Sequence, residues 1–177
     1  MKEVEVKILE VNRKKIEEIL VRLGAKKIFD GQIQTLLFDF ENGTIIKSKN
    51  VLRLRKEEDK AELTYKKVSF TETAKIAEEI TVEVSNLETT KKILENLGLS
   101  VIENMLKHRT SYILNKARFD IDCYLDDFGF IPEFIEIEAE NTDMIYEYAE
   151  LLGFSPEKCL PWSTSDVIKY YSRKVHS

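Results

Sequence analysis

A chain of 177 residues, 43% hydrophobic and 33% charged, is long enough to bury a sizeable core, and its length suggests one domain over residues 1–177. A net charge of -5 argues against a nucleic-acid groove spread over the outer surface, and no apolar run approaches the 18 residues of a membrane span. The first strand signal begins almost at Met1, so no signal peptide is expected. Cys123 and Cys159 form no CxxC, so a reducing, cytoplasmic setting is expected.

The stretch Glu3-Val4-Glu5-Val6-Lys7 alternates charged and apolar residues with period two. That spacing predicts a strand with Glu3, Glu5 and Lys7 on one face and Val4, Val6 and Ile8 on the other. The two carboxylates then lie roughly 6.6 Å apart, a spacing that can hold a hydrated divalent cation. A strand with one wet face gives the same pattern.

Asn12 then precedes Ile16, Ile19, Leu20 and Leu23 at helical spacing, and Gly24 closes the run. Asn is a good N-cap and Gly a good terminator, so a helix is expected over about 12–23. The unit recurs from Asn86 to Gly98 and from Asn141 to Gly153, each time after a strand of alternating charge. Between the first two helices the sequence predicts a long strand over 26–41 turned by Asn42-Gly43, then strands over 51–55 and 61–66. A polar loop over 68–76 should lead into a strand over 77–84. Past the second helix, 100–114 is extended, Asn115-Lys116 marks a tight hairpin, and 117–124 returns. A loop with Gly129 and Pro132 leads to a strand over 134–138. The tail from Pro161 starts a last helix. The count is eight strands with three or four helices.

The charged faces sort by sign. Glu3/Glu5, Asp120/Asp122 and Glu136/Glu138 are acidic; Arg53/Arg55 and Lys107/Arg109 are basic. The apolar stripes of the helices need the apolar strand faces, so the charged faces must point the other way. Two arrangements satisfy this. One is an open sheet with a solvated charged face. The other, which we favour, is an α+β fold, mainly antiparallel β, whose eight strands close into a barrel with a charged interior and helices outside. A mixed lining of acids and bases suits a highly charged anion bound with its metal: bases neutralise phosphate oxygens, and carboxylates hold a cation that bridges to the same oxygens.

The Glu3-Val4-Glu5-Val6-Lys7 strand matches the ExExK signature of the CYTH superfamily, the triphosphate tunnel metalloenzymes. Leu52-Arg53-Leu54-Arg55, Leu63-Thr64-Tyr65-Lys66, the acids Glu79 and Glu83, Lys107-His108-Arg109 and Glu136-Ile137-Glu138 resemble its later motifs in the same order. In size and layout the chain is similar to the class IV adenylyl cyclase-like branch. The resemblance implies a tunnel that binds a triphosphate with Mg²⁺ or Mn²⁺. It implies Glu3, Glu5, Glu136 and Glu138 as metal ligands, with Asp122 in addition. It implies Lys7, Arg53, Arg55, Lys66, Lys107 and Arg109 as phosphate holders, with Lys7, Glu79 and Glu83 taking part in catalysis. The chain departs from the family at Ala77, where an Arg is common, and in the loop Phe128–Glu133, which is longer. The implied reaction is hydrolysis of inorganic, nucleoside or thiamine triphosphate. The alternatives are cyclic AMP formation from ATP and non-catalytic polyphosphate or nucleotide binding. No nucleic-acid or membrane partner is expected, and the helix-covered exterior leaves room for a homodimer. His108 and Cys123 alternate out of the charged face, and Trp162 reads as a packing residue.

Overall fold

The structure is a computed structural model and describes residues 4–70 and 75–175. Its strands are β1 (Val4–Leu9), β2 (Lys26–Phe40), β3 (Val51–Glu57), β4 (Lys60–Phe70), β5 (Lys75–Val84), β6 (Leu99–Leu114), β7 (Ala117–Tyr124) and β8 (Phe134–Ala139). Its α-helices are α1 (Arg13–Arg22), α2 (Thr44–Lys47), α3 (Leu87–Asn96), α4 (Thr142–Leu151) and α5 (Thr164–Val175). The strands form one antiparallel sheet in the order β1-β8-β7-β6-β2-β3-β4-β5. No helix among the described residues is long and apolar enough to cross a membrane.

The three Asn-to-Gly helices form where their caps stand. Asn12, Asn86 and Asn141 each accept a hydrogen bond from the backbone N–H three residues on, at 3.0, 2.8 and 2.9 Å. Gly24, Gly98 and Gly153 end them at φ of 85°, 90° and 88°, a region that side chains rarely adopt. Two expectations change. The Asn42-Gly43 turn opens into the short helix α2, because the Asp39 carboxylate accepts from the N–H groups of Ile45 and Ile46. The predicted loop over 68–76 gives way to strand at both ends, since β4 runs on to Phe70 and β5 begins at Lys75; residues 71–74 lie outside the described residues.

The chain divides into two compact units, residues 1–31 with 107–177, and residues 32–106. In the first, α1 and α4 cover one face of the sheet. Ile16, Leu20, Ile145 and Ala149 pack with Val6, Ile8, Phe119, Ile121, Ile135 and Ile137, all buried. In the second, Leu87 and Leu94 of α3 and Ile45 of α2 join Leu36, Phe38, Leu54 and Ala61. The apolar strand faces therefore lie under the helices, as their period-two pattern requires.

No ladder joins β1 to β5 among the described residues, so the barrel expectation narrows to an eight-stranded antiparallel sheet whose order has two ends. At Lys7 the outer edge of β1 is taken by the chain's own tail. The Lys7 N–H donates to the Leu160 carbonyl at 2.8 Å, and the Leu160 N–H donates to the Lys7 carbonyl at 2.9 Å. Such a strap shields edge groups that would otherwise recruit another strand.

Candidate functional site

Strand pairing in the first unit lays the charged residues in rows. Glu5 stands opposite Glu138, and Glu138 opposite Arg118. In the next row Lys7 faces Glu136, which faces Asp120, which faces Ser111. A third row runs Phe134, Asp122, Arg109, and beyond it Tyr124 faces Lys107. Directly opposed residues of antiparallel strands share a face, so all of these point away from α1 and α4.

An open sheet would leave that face wet. Instead Lys7 and Asp122 are each 1% exposed, Asp120 is 4% and Arg109 8%. Burying such charges is tolerated only where partners are close. The Lys7 ammonium lies 2.7 Å from Glu5 and 3.4 Å from Glu136. Arg109 grips Asp122 with Nε and Nη2, both at 2.6 Å, and reaches Asp120 with Nη1 and Glu136 at 3.3 Å. Lys107 donates to the second Asp122 oxygen at 2.7 Å.

The protonation equilibria follow from this packing. Burial alone would raise the Asp122 carboxyl, but the Lys107 and Arg109 charges outweigh it and hold Asp122 at about 2. Burial would lower the Arg109 guanidinium, and the carboxylates of Asp122, Asp120 and Glu136 raise it instead. Burial wins at Lys107, whose ammonium is held below its usual range even beside Asp122. Burial also wins at Glu136, whose carboxyl is pushed up in spite of Lys7 and Arg109.

The second unit carries its own set. Arg55 faces Glu62, which faces Glu83; Arg53 faces Thr64, which faces Thr81; and Lys66 faces Glu79. Glu62 lies 3.3 Å from Arg53 and 3.0 Å from Arg55. Lys66 lies 2.7 Å from Glu79 and by that hydrogen bond holds the Glu79 carboxyl low. Both guanidinium groups are half-buried, and Nε of Arg55 is buried without a hydrogen-bond partner among the described residues. A buried donor of that kind suits an anion.

Among the described residues no group of three or more His, Cys, Asp or Glu side chains stands ready to hold a metal ion, and Glu3 lies outside those residues. The chemistry of Glu5, Glu136 and Glu138 nevertheless fits a hard cation, which takes carboxylate oxygens. Glu5 and Glu138 are opposed like charges, an arrangement that repels unless a positive group offsets it. Asp122 fits less well, because both its oxygens already accept from Lys107 and Arg109.

Other expected positions fall as the alternation requires. His108 lies on the opposite face, with Nε2 at 3.2 Å from Asp30. Arg118 pairs with Asp120 at 2.9 Å. Trp162 packs edge-on to Tyr170, with centroids 5.1 Å apart. Tyr124 went unnoticed in the sequence, although the same alternation that places Asp120 and Asp122 on the charged face places it there too.

A family model described as CYTH domain matches residues 1–150. A Methanocaldococcus jannaschii protein named "Putative adenylate cyclase MJ0240" is 28% identical over 144 residues, covering 81% of this chain and 80% of its own. The PH1012 protein of Pyrococcus horikoshii superposes with a TM-score of 0.73 at 26% identity, covering 95% of this chain and 98% of its own. The Hippeastrum protein HpAC1, described as having a dominant triphosphatase activity, superposes with a TM-score of 0.66 at 18% identity, covering 96% of each chain.

Proposed function

This chain belongs to the CYTH domain family, and we propose that it is a metal-dependent enzyme acting on a triphosphate, a triphosphatase working as one domain over residues 1–177. The observation that carries the reading is the burial of Lys7 and Arg109 on a strand face where an ordinary sheet would be solvated. Cations kept this dry and this close to acids are preorganised for a densely charged anion. In the same proposal the eight strands close into a tunnel around the charged face.

In this reading Lys7, Lys107, Arg109, Arg53, Arg55 and Lys66 hold phosphate oxygens. Glu3, Glu5, Glu136 and Glu138 would hold Mg²⁺ or Mn²⁺, which when bound offsets charge on those oxygens. Asp122 then acts chiefly by keeping Lys107 and Arg109 in place. Arg109 donates an in-plane N–H to a phosphate oxygen, and Lys7 neutralises the charge that builds as the bond breaks. Water attacks the terminal phosphorus and forms a new P–O bond, its proton passes to solvent, the bond to the bridging oxygen breaks, and orthophosphate forms while diphosphate or an organic diphosphate leaves with that electron pair. Glu79 and Glu83 orient the bases or the attacking water. Both cysteines are free thiols, in keeping with the cytoplasmic setting we propose.

The name of the Methanocaldococcus relative favours a second reading, in which the ribose 3′-hydroxyl attacks the α-phosphorus and cyclic AMP and pyrophosphate form. Product analysis separates the two. Purified protein with Mg²⁺ or Mn²⁺ is offered inorganic triphosphate and ATP in turn. Orthophosphate without cyclic AMP is the expected outcome. Cyclic AMP with pyrophosphate would establish the cyclase, and tight binding without turnover would make the chain a binding module. Glu138→Ala should abolish turnover while the circular dichroism spectrum stays unchanged; retained turnover would sink the metal-ligand assignment.

A further inference from the structure

The two units pair arginine with carboxylate in different ways. In the first, Arg109 meets Asp122 with Nε and Nη2, both at 2.6 Å, and Asp122 is 1% exposed. A dry, two-pronged pair of that kind is fixed, because parting it strands buried charge. In the second unit, one oxygen of Glu62 serves two arginines. Glu62 Oε1 accepts from Arg53 Nη2 at 3.3 Å and lies 3.0 Å from Arg55 Nη2. Each guanidinium offers it a single nitrogen, and the Glu62 side chain is 30% exposed.

This contact is easy to part. Water reaches it, and an ion pair open to water holds only weakly. Glu62 stands directly opposite Glu83 on β5, a like charge that works against its present place. Arg55 Nε is buried and donates to nothing among the described residues, so Glu62 leaves the fork of Arg55 half used. A phosphoryl group supplies what the carboxylate does not. Its three oxygens can meet Nη2 of both arginines and Nε of Arg55 together, and its charge is larger than that of a carboxylate.

We propose that Glu62 is an internal competitor of the substrate. Its carboxylate takes the position between Arg53 and Arg55 that a phosphoryl group occupies on binding, and it turns aside when the triphosphate is held there. Glu62 therefore weakens every phosphate ligand of this arginine pair, product as well as substrate, and so favours release of the product. This inference rests on the triphosphate reading of the site and adds to it a residue that opposes binding.

The test is calorimetric titration of the full chain with inorganic triphosphate and Mg²⁺, in the wild type, Glu62→Gln and Glu57→Gln. Glutamine keeps an oxygen beside the two guanidinium groups and removes the charge, and so open a strand position tolerates it without loss of fold. Glu62→Gln should bind inorganic triphosphate roughly tenfold tighter than the wild type. Glu57→Gln changes the net charge equally, but Glu57 lies 3.9 Å from Arg55. Its affinity should stay within about twofold of the wild type. Unchanged or weaker binding in Glu62→Gln would overturn the inference, because a carboxylate that merely positions the arginines does not oppose the ligand. An equal gain in both variants would also overturn it, since that marks a general effect of net charge. A wild type that binds triphosphate, beside a Glu62→Gln that binds it less well, would refute this inference and leave the triphosphate reading standing. Absence of binding in both the wild type and Glu62→Gln would refute the two together.

Discussion

Arg109 illustrates what a single residue does here. Its fork meets both oxygens of Asp122 and still reaches Asp120, a geometry that lysine cannot reproduce. Removing one member of such a buried set strands the others. Asp122→Ala should therefore cost about 3–5 kcal/mol in urea unfolding. A loss below about 1 kcal/mol would mean that Lys107 and Arg109 are as well served by water as exposed pairs are. Asp39 does a different task. Burial would raise its carboxyl, but the N–H groups of Ile46, Ile45 and Phe40 hold it below its ordinary value of 3.8. A carboxyl lowered in the folded state stabilises above its unfolded pKa and loses that contribution as pH falls through its folded one. Asp39→Asn should lower the melting midpoint by roughly 2–4 °C near pH 7. The gap to wild type should close as the pH drops below 3.8; a gap independent of pH would contradict the charge-based cap.

Among the elements, the three capped helices were the most legible from sequence, because a cap is a contact between near neighbours. Asn86→Ala should cost about 1 kcal/mol by loss of the bond to the Thr89 N–H. An unchanged denaturation midpoint would show that α3 is held by Leu87 and Leu94 alone. The strand faces were legible for the same local reason. Alternation put Val6, Ile8, Phe119 and Ile137 under helices and Lys7, Asp120 and Glu136 on the other face. The short helix α2 was not legible: the donor pattern that forms it depends on Asp39, which the sequence shows only as one more acid in a strand. Strand ends also escaped notice. Val68 and Phe70 read as part of a polar loop but pair with Ala77 and Lys75. Here cross-strand pairing decides against local composition.

For the molecule as a whole, binding is the most direct test. With Mg²⁺ and triphosphate at about 100 times Kd, linkage adds about 2.7 kcal/mol, and the melting midpoint should rise by roughly 5–10 °C. A midpoint unmoved by ligand would contradict the triphosphate reading. The sequence by itself determined which residues share a face, where the three Asn-capped helices begin and end, and the order of motifs that marks the CYTH family, since these depend on backbone sterics, near-neighbour contacts and residue identity. Only the tertiary structure decided the partners. β1 and β8 come from distant parts of the chain, and nothing local states that Lys7 will face Glu136 or that Leu160 will cover the edge of β1. Burial is decided at the same level. Desolvation depends on everything packed around a group, so the alternation that named Lys7, Asp122 and Arg109 as charged-face residues could not show that they would be dry, or that Arg109 would hold Asp122 and leave Glu5, Glu136 and Glu138 as the acids better suited to a cation.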